Sequence, residues 1–267
     1  MRQHSPDRAQ RLPAPDMAVP ALLDRLVHLT GALRVTLDPP DVDGWISAND
    51  LTTPETGALA DFIERLADAG FAANRRAAAA SLLLRHGWAA GPIIAAYLAE
   101  RRTLRIHDFA LRFSASTLVE GIWIRQADSV IERLPSDSRD GVLASLLAFS
   151  EPALESLRRW SGYSRHALWS MLTSSWMAQF STLGSLLGDR ERAVRAGRAL
   201  LARHPELARA LPETYLIASG DRSEVCQILK ACCLQHKGFR RRFCPTCPVI
   251  QDRERFVRNR EWVCRTN

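Results

Sequence analysis

Residues 165–187 read RHALWSMLTSSWMAQFSTLGSLL. Leu168, Leu172, Trp176, Phe180, Leu183 and Leu187 recur at steps of three and four, which predicts a long helix with one buried apolar stripe. Trp169 and Trp176 stand seven apart on one helical face and read as core rather than as the lining of a pocket. A stripe of this kind needs other helices to cover it, so the chain is expected to be built around helix packing.

Outward from this segment, helices are expected at 141–149 and 152–160 on one side and at about 190–207 on the other. Further upstream, ALLDRLVHLTGALR (21–34) carries Leu22, Leu26 and Leu33 at helical spacing, and Asp38-Pro39-Pro40-Asp41 breaks the pattern. Thr53-Pro54-Glu55 reads as an N-cap followed by Pro in the first helical position, ahead of Leu59, Phe62, Ile63 and Leu66. Alanine-rich helical segments then run to about Arg102, with breaks at His86-Gly87 and Gly91-Pro92. Residues 104–126 differ: Leu104, Ile106, Phe109, Leu111 and Phe113, then Val119, Ile122 and Ile124, come close to alternation, which predicts two or three short strands. The expected fold class is mainly α with a small β-sheet (α+β).

Composition agrees. Of the 267 residues, 46% are hydrophobic and 24% charged, the balance of a globular chain, which excludes a disordered or collagen-like one. No apolar run reaches the ~20 residues of a membrane span; Trp88 to Ala99 is the longest and suits a buried helix. Residues 1–20, with Pro6, Pro13, Pro15 and Pro20, are expected to be a disordered leader with no secretion signal, which makes the cytoplasm the expected location.

Charge and cysteine are distributed unevenly. Residues 222–267 hold eleven Lys and Arg against four Asp and Glu, so the whole net charge of +7 falls there. All six cysteines (Cys226, Cys232, Cys233, Cys244, Cys247 and Cys264) lie in the same stretch. The chain therefore divides into a leader (1–20), a mainly helical body (21–221) and a basic, cysteine-rich segment (222–267). Without a secretion signal, clustered cysteines point to metal or redox chemistry rather than disulfides.

Cys232-Cys233 and Cys244-Pro245-Thr246-Cys247-Pro248 together have the spacing C-C-x10-C-x2-C. Two residues between ligands let a tight knuckle turn both sulfurs towards one metal. Alone that knuckle suits zinc, an iron–sulfur cluster or a redox dithiol, although no βαβ pattern supports the last. Adjacent side chains diverge, so Cys232 and Cys233 serve the two metals of a [2Fe–2S] cluster more readily than one tetrahedral ion, and four thiolates meet its ligand count. Arg240, Arg241, Arg242, Lys237 and Lys230 are placed to offset cluster charge, while Pro245 and Pro248 remove N–H groups that might have bonded sulfur.

This motif, in ACCLQHKGFRRRFCPTCPV (231–249), resembles that of the FhuF-type ferric-siderophore reductases. The resemblance implies that Cys232, Cys233, Cys244 and Cys247 are the iron ligands of a [2Fe–2S] cluster. It further implies an oxidoreductase that passes one electron to siderophore-bound Fe(III), of hydroxamate type, and releases Fe(II) in the cytoplasm. The implied partners are the ferric hydroxamate and an electron donor of ferredoxin or flavin-reductase type. The alternative is a non-enzymatic zinc- or cluster-binding interaction protein with a basic tail. Nucleic acid is disfavoured, because a zinc ribbon would show two Cys-x2-Cys knuckles.

Beyond the motif, Trp160 and Tyr163, flanking Gly162 between two helices, are candidate pocket residues. His236 is a candidate substitute ligand. Were residues 225–235 helical, Cys226 would share a face with Cys233 and would be a buried thiol rather than a ligand; Cys264 would be free.

Overall fold

A computed structural model describes residues 18–30, 33–130, 135–219, 222–238 and 243–265, with backbone alone at 135–138, 219, 222 and 265. The expected leader, apart from residues 18–20, and Arg240–Arg242 lie outside the described residues. The elements in chain order are α1 (Val19–Leu26), β1 (Arg34–Thr36), β2 (Trp45–Ser47), α2 (Gly57–Asp68), α3 (Arg75–Trp88) and α4 (Gly91–Glu100). There follow β3 (Thr103–Phe113), β4 (Val119–Val130), α5 (Pro135–Ser161), α6 (Arg165–Leu186), α7 (Arg190–Leu201), α8 (Pro205–Ala210), β5 (Glu213–Ser219), β6 (Arg222–Ile228) and α9 (Asp252–Arg265). The fold is α+β and mainly helical, as expected. Among the described residues no helix is long and apolar enough to cross a membrane.

The helix expected at 165–187 is α6, but its environment differs from a stripe. Sixteen of its 22 residues are buried, on every side, and Leu187 lies exposed just past its end. It is the central helix, packed by α3, α4, α5, α7 and α8. Trp169 and Trp176 are fully buried core residues with ring centroids 6.1 Å apart. Several polar residues of α6 tolerate this because they are bonded across to neighbouring elements. Thr173 donates to the Ala210 carbonyl (2.8 Å), Ser175 to that of Leu84 (2.5 Å) and Gln179 to that of Trp88 (2.8 Å).

Several boundaries move. The break expected at His86-Gly87 does not occur, and α3 runs through to Trp88. A Cβ at Gly87 would lie 2.5 Å from the Ser175 Cβ, so this glycine permits close approach of α3 to α6 rather than a turn. The two helices expected at 141–149 and 152–160 are one helix of 27 residues with Pro152 inside it. Pro152 forfeits one backbone bond, while burial of Phe149, Ala153, Leu154 and Leu157 on both sides of it holds the helix together. The helix expected at 190–207 ends at Leu201, and Pro205 starts α8. Thr53 does not cap α2: Thr53–Thr56 forms a turn, and the helix begins at Gly57.

The strands expected at 104–126 form a single hairpin, β3–β4, of 11 and 12 residues. Leu104 and Ile106 are in phase with each other, as are Phe109, Leu111 and Phe113. The slip between the two sets is a bulge at His107–Asp108, which keeps both facing the core. Short β1 and β2, not foreseen, flank the hairpin in the order β1-β4-β3-β2, with β1 parallel to β4. The antiparallel pair β5–β6 was also unforeseen, and it straddles the boundary expected at 221. Cys226 consequently lies on a strand, not a helix, and packs beneath Ile217, Tyr215 and Val263.

Candidate metal centre

The four motif cysteines sit in irregular chain that follows β6, and neighbouring helices shape it. Leaving the sheet, the Leu229 N–H donates to the Thr246 carbonyl (3.1 Å), which brings the two halves of the motif together. The Lys230 and Ala231 N–H groups both donate to Ser170 Oγ of α6 (3.1 Å each). One turn further along, Ser174 Oγ donates to Gln227 Oε1 (2.8 Å). The Tyr163 hydroxyl, in the α5–α6 connection, donates to the Cys232 carbonyl (2.5 Å). Gly238 lies against the Gly70 carbonyl at the end of α2, where an added Cβ would be 2.4 Å from that oxygen.

The Cys244–Cys247 knuckle is fixed from α9. Buried Arg255 donates through Nε to the Cys247 carbonyl (2.9 Å) and through Nη2 to that of Ile250 (2.7 Å), and it pairs with Asp252 at 2.5 Å. Buried Asn259 donates to the Pro245 carbonyl (3.2 Å) and to the Tyr215 hydroxyl (2.6 Å). Within the knuckle, the Cys247 N–H closes the turn onto the Cys244 carbonyl (3.1 Å). Irregular chain has no ladder of its own, so these side chains supply the partners its backbone needs.

The sulfurs meet in two couples. Cys233 Sγ and Cys244 Sγ are 3.5 Å apart, and Cys232 interacts more weakly with Cys247. The charges of the two couples act on each other. Each couple holds one buried thiol (Cys233, Cys247) and one half-buried (Cys232, Cys244). Backbone N–H groups point at sulfur despite the two prolines: Leu234 N lies 3.4 Å from Cys232 Sγ and Val249 N 3.4 Å from Cys247 Sγ. The Thr246 hydroxyl lies 3.6 Å from Cys244 Sγ.

These contacts separate the thiols electrostatically. The bond from Cys233, helped by Thr246, brings the Cys244 thiol down against the opposing effect of burial. Cys233 is pushed up because it donates that bond and because it is buried. Burial likewise raises Cys232, and it holds the Tyr163 phenol up at about 12, where the charges of Cys232 and Cys233 reinforce it.

Among the described residues, no group of three or more His, Cys, Asp or Glu side chains is arranged to hold a metal ion. The paired arrangement does suit a two-metal group. Two thiolates on one tetrahedral metal at ~2.3 Å are ~3.8 Å apart, close to the 3.5 Å of Cys233 and Cys244. An all-sulfur donor set with N–H groups aimed at it matches an iron–sulfur cluster. One thiol from the vicinal pair joins one from the knuckle in each couple, so Cys232 and Cys233 face different partners.

The remaining candidates lie around the four thiols or away from them. Lys230 is tied to Glu213 at 2.5 Å, and the buried cation beside the knuckle is instead Arg255. His236 keeps its Nδ1 3.7 Å from Cys232 Sγ and stacks on Phe243. Cys226 is a buried thiol raised to about 11 by burial and then by Glu224, and Cys264 is exposed. Ser170, Arg255 and Asn259 escaped sequence reasoning: Ser170 is one of several small polar residues in a buried helix, and Arg255 and Asn259 stand in a helix that is polar nearly throughout. No family model matches the chain, and no curated protein matches it either.

Proposed function

We propose that this chain is a cytoplasmic ferric-siderophore reductase whose four motif thiols hold a [2Fe–2S] cluster. The observation that carries this reading is the approach of Cys233 to Cys244 and of Cys232 to Cys247, eleven and fifteen positions apart in sequence. When bound, such a cluster supplies single electrons, and these convert chelated Fe(III) to Fe(II), which hard oxygen ligands hold far more weakly.

The chain's own residues define the setting. Cys233 and Cys247 sit away from water, and the half-buried Cys232 and Cys244 form the edge nearest solvent. The N–H groups of Leu234 and Val249 and the guanidinium of Arg255 favour added negative charge at the sulfurs and so raise the potential. The Fe(III) chelate, a hydroxamate by the motif resemblance, is the substrate; a ferredoxin- or flavin-type reductase is the electron source.

Two measurements test the reading. Protein isolated aerobically should be reddish-brown and return two irons and two sulfides per chain; zinc without sulfide refutes it. The dithionite-reduced protein, mixed in stopped flow with a ferric trihydroxamate, should lose its reduced spectrum. If that spectrum persists, the activity is refuted even where the cluster is present.

A further inference from the structure

A shallow depression of about 510 Å³ lies between the Thr52–Thr56 turn, the start of α3 and the end of α5. Its volume falls within the range of small-molecule sites. Arg75, Arg159 and Trp160 line it, and Ser156 on its floor is bonded to the Thr52 carbonyl (2.5 Å). Arg75 holds its guanidinium carbon 5.5 Å from the Trp160 ring centroid, a cation–π contact. Its one carboxylate, Glu55, is 3.9 Å away and both groups are about two-thirds exposed, a pairing worth little in water. Arg159 has no hydrogen-bond or ion-pair partner among the described residues. The rim therefore carries the two guanidinium charges of Arg75 and Arg159 against the carboxylate of Glu55.

The depression is linked to the cysteine segment through the α5–α6 connection. Trp160 and Tyr163 are three residues apart, so their Cα atoms lie within ~11 Å, and the Tyr163 hydroxyl touches the Cys232 carbonyl. Covalent bonds and one hydrogen bond thus connect the cysteine segment to the depression's wall.

We propose that this depression binds an anionic iron chelate that keeps free carboxylates, with Arg75 and Arg159 meeting those carboxylates beside the Trp160 ring. The proposal rests on the reductase reading for its purpose and names the substrate class: a hydroxamate or carboxylate chelate with net negative charge, rather than a neutral one. Binding itself makes and breaks no covalent bond.

Gallium(III) citrate, which is redox-inert, is the probe, and calorimetry on the full chain is the readout. It should bind at low salt, with affinity falling as salt rises. Arg75→Gln and Arg159→Gln should each weaken it about threefold to fivefold, and Trp160→Ala should weaken it as well. All three residues lie at the surface or its edge, and circular dichroism confirms that the variants are folded. A neutral gallium(III) trihydroxamate should bind at least about tenfold more weakly. Equal binding of the neutral chelate, or unchanged affinity in all three variants, overturns the proposal. Oxidation of the reduced protein by ferric citrate separates the two readings. Oxidation with unaltered affinity in the variants removes this site and leaves the reductase; arginine-dependent gallium binding without oxidation does the reverse.

Discussion

The helices around α6 and the cysteine segment are held by opposite means. The body is held by area: Trp169, Trp176, Phe180, Leu168 and Leu172 are buried outright, and no single contact decides their position. Between β6 and α9, the described residues of the cysteine segment hold one short 3-10 turn, at Gln235–Lys237. It is held by particular polar atoms on its neighbours: the hydroxyls of Ser170 and Tyr163 and the side chains of Arg255 and Asn259. A region stabilised by area tolerates substitutions that keep volume. A region stabilised by individual hydrogen bonds fails one atom at a time.

The largest expected effect tests whether the two regions are separable. Cys233→Ser combined with Cys247→Ser takes one thiol from each couple and should abolish visible absorption and bound iron. The helical circular dichroism should stay near that of the unaltered chain. Collapse of both signals would mean that the segment and the body fold as one unit.

Next comes Arg255→Met, which leaves the Cys247 and Ile250 carbonyls without their donor. A loss of about 4 kcal/mol is expected, confined to the segment. Hydrogen exchange should show α9 and the knuckle opening while α6 stays protected; uniform loss of protection contradicts the contrast.

The body has its own sensitivity, to acid. His86 is fully buried against Phe149 and Phe109, and its Nε2 donates to the Phe149 carbonyl (3.2 Å), so it is neutral; burial brings it down to about 4. The unfolded chain binds this proton near pH 6.5 and the folded chain only near 4. The stabilisation is therefore whole above about 6.5 and lost as pH falls towards 4, by about 3 kcal/mol. Urea midpoints of the body should fall across that window, and His86→Phe should flatten the slope. An unchanged slope in that variant would assign acid sensitivity elsewhere.

The smallest effect lies where the two regions touch. Ser170→Ala removes one oxygen that accepts two N–H groups, an expected cost of about 2 kcal/mol. Faster loss of bound iron to a chelator, with little change in body unfolding, is the expected signature.

The sequence was legible where its signals were local. The period of α6, the strands of β3–β4 and the apolar positions Leu59, Phe62 and Leu66 of α2 were all readable. Misreadings came where tertiary packing outweighed a local breaker. Gly87 permits helix contact, and Pro152 stays inside a helix that burial supports on both sides. The β5–β6 pair was missed although Gly220-Asp221 between Tyr-Leu-Ile and Val-Cys-Gln-Ile is a hairpin signal.

By itself the sequence determined the helical class and the set of four thiols, because periodicity and cysteine spacing are written along one dimension. Only the tertiary structure decided that Cys233 joins Cys244 and Cys232 joins Cys247. It alone put Ser170 under Lys230, 60 residues away, and made Arg255 a buried cation beside the knuckle. Such pairings arise between segments whose approach is set by the packing of everything between them, and no local pattern encodes that distance.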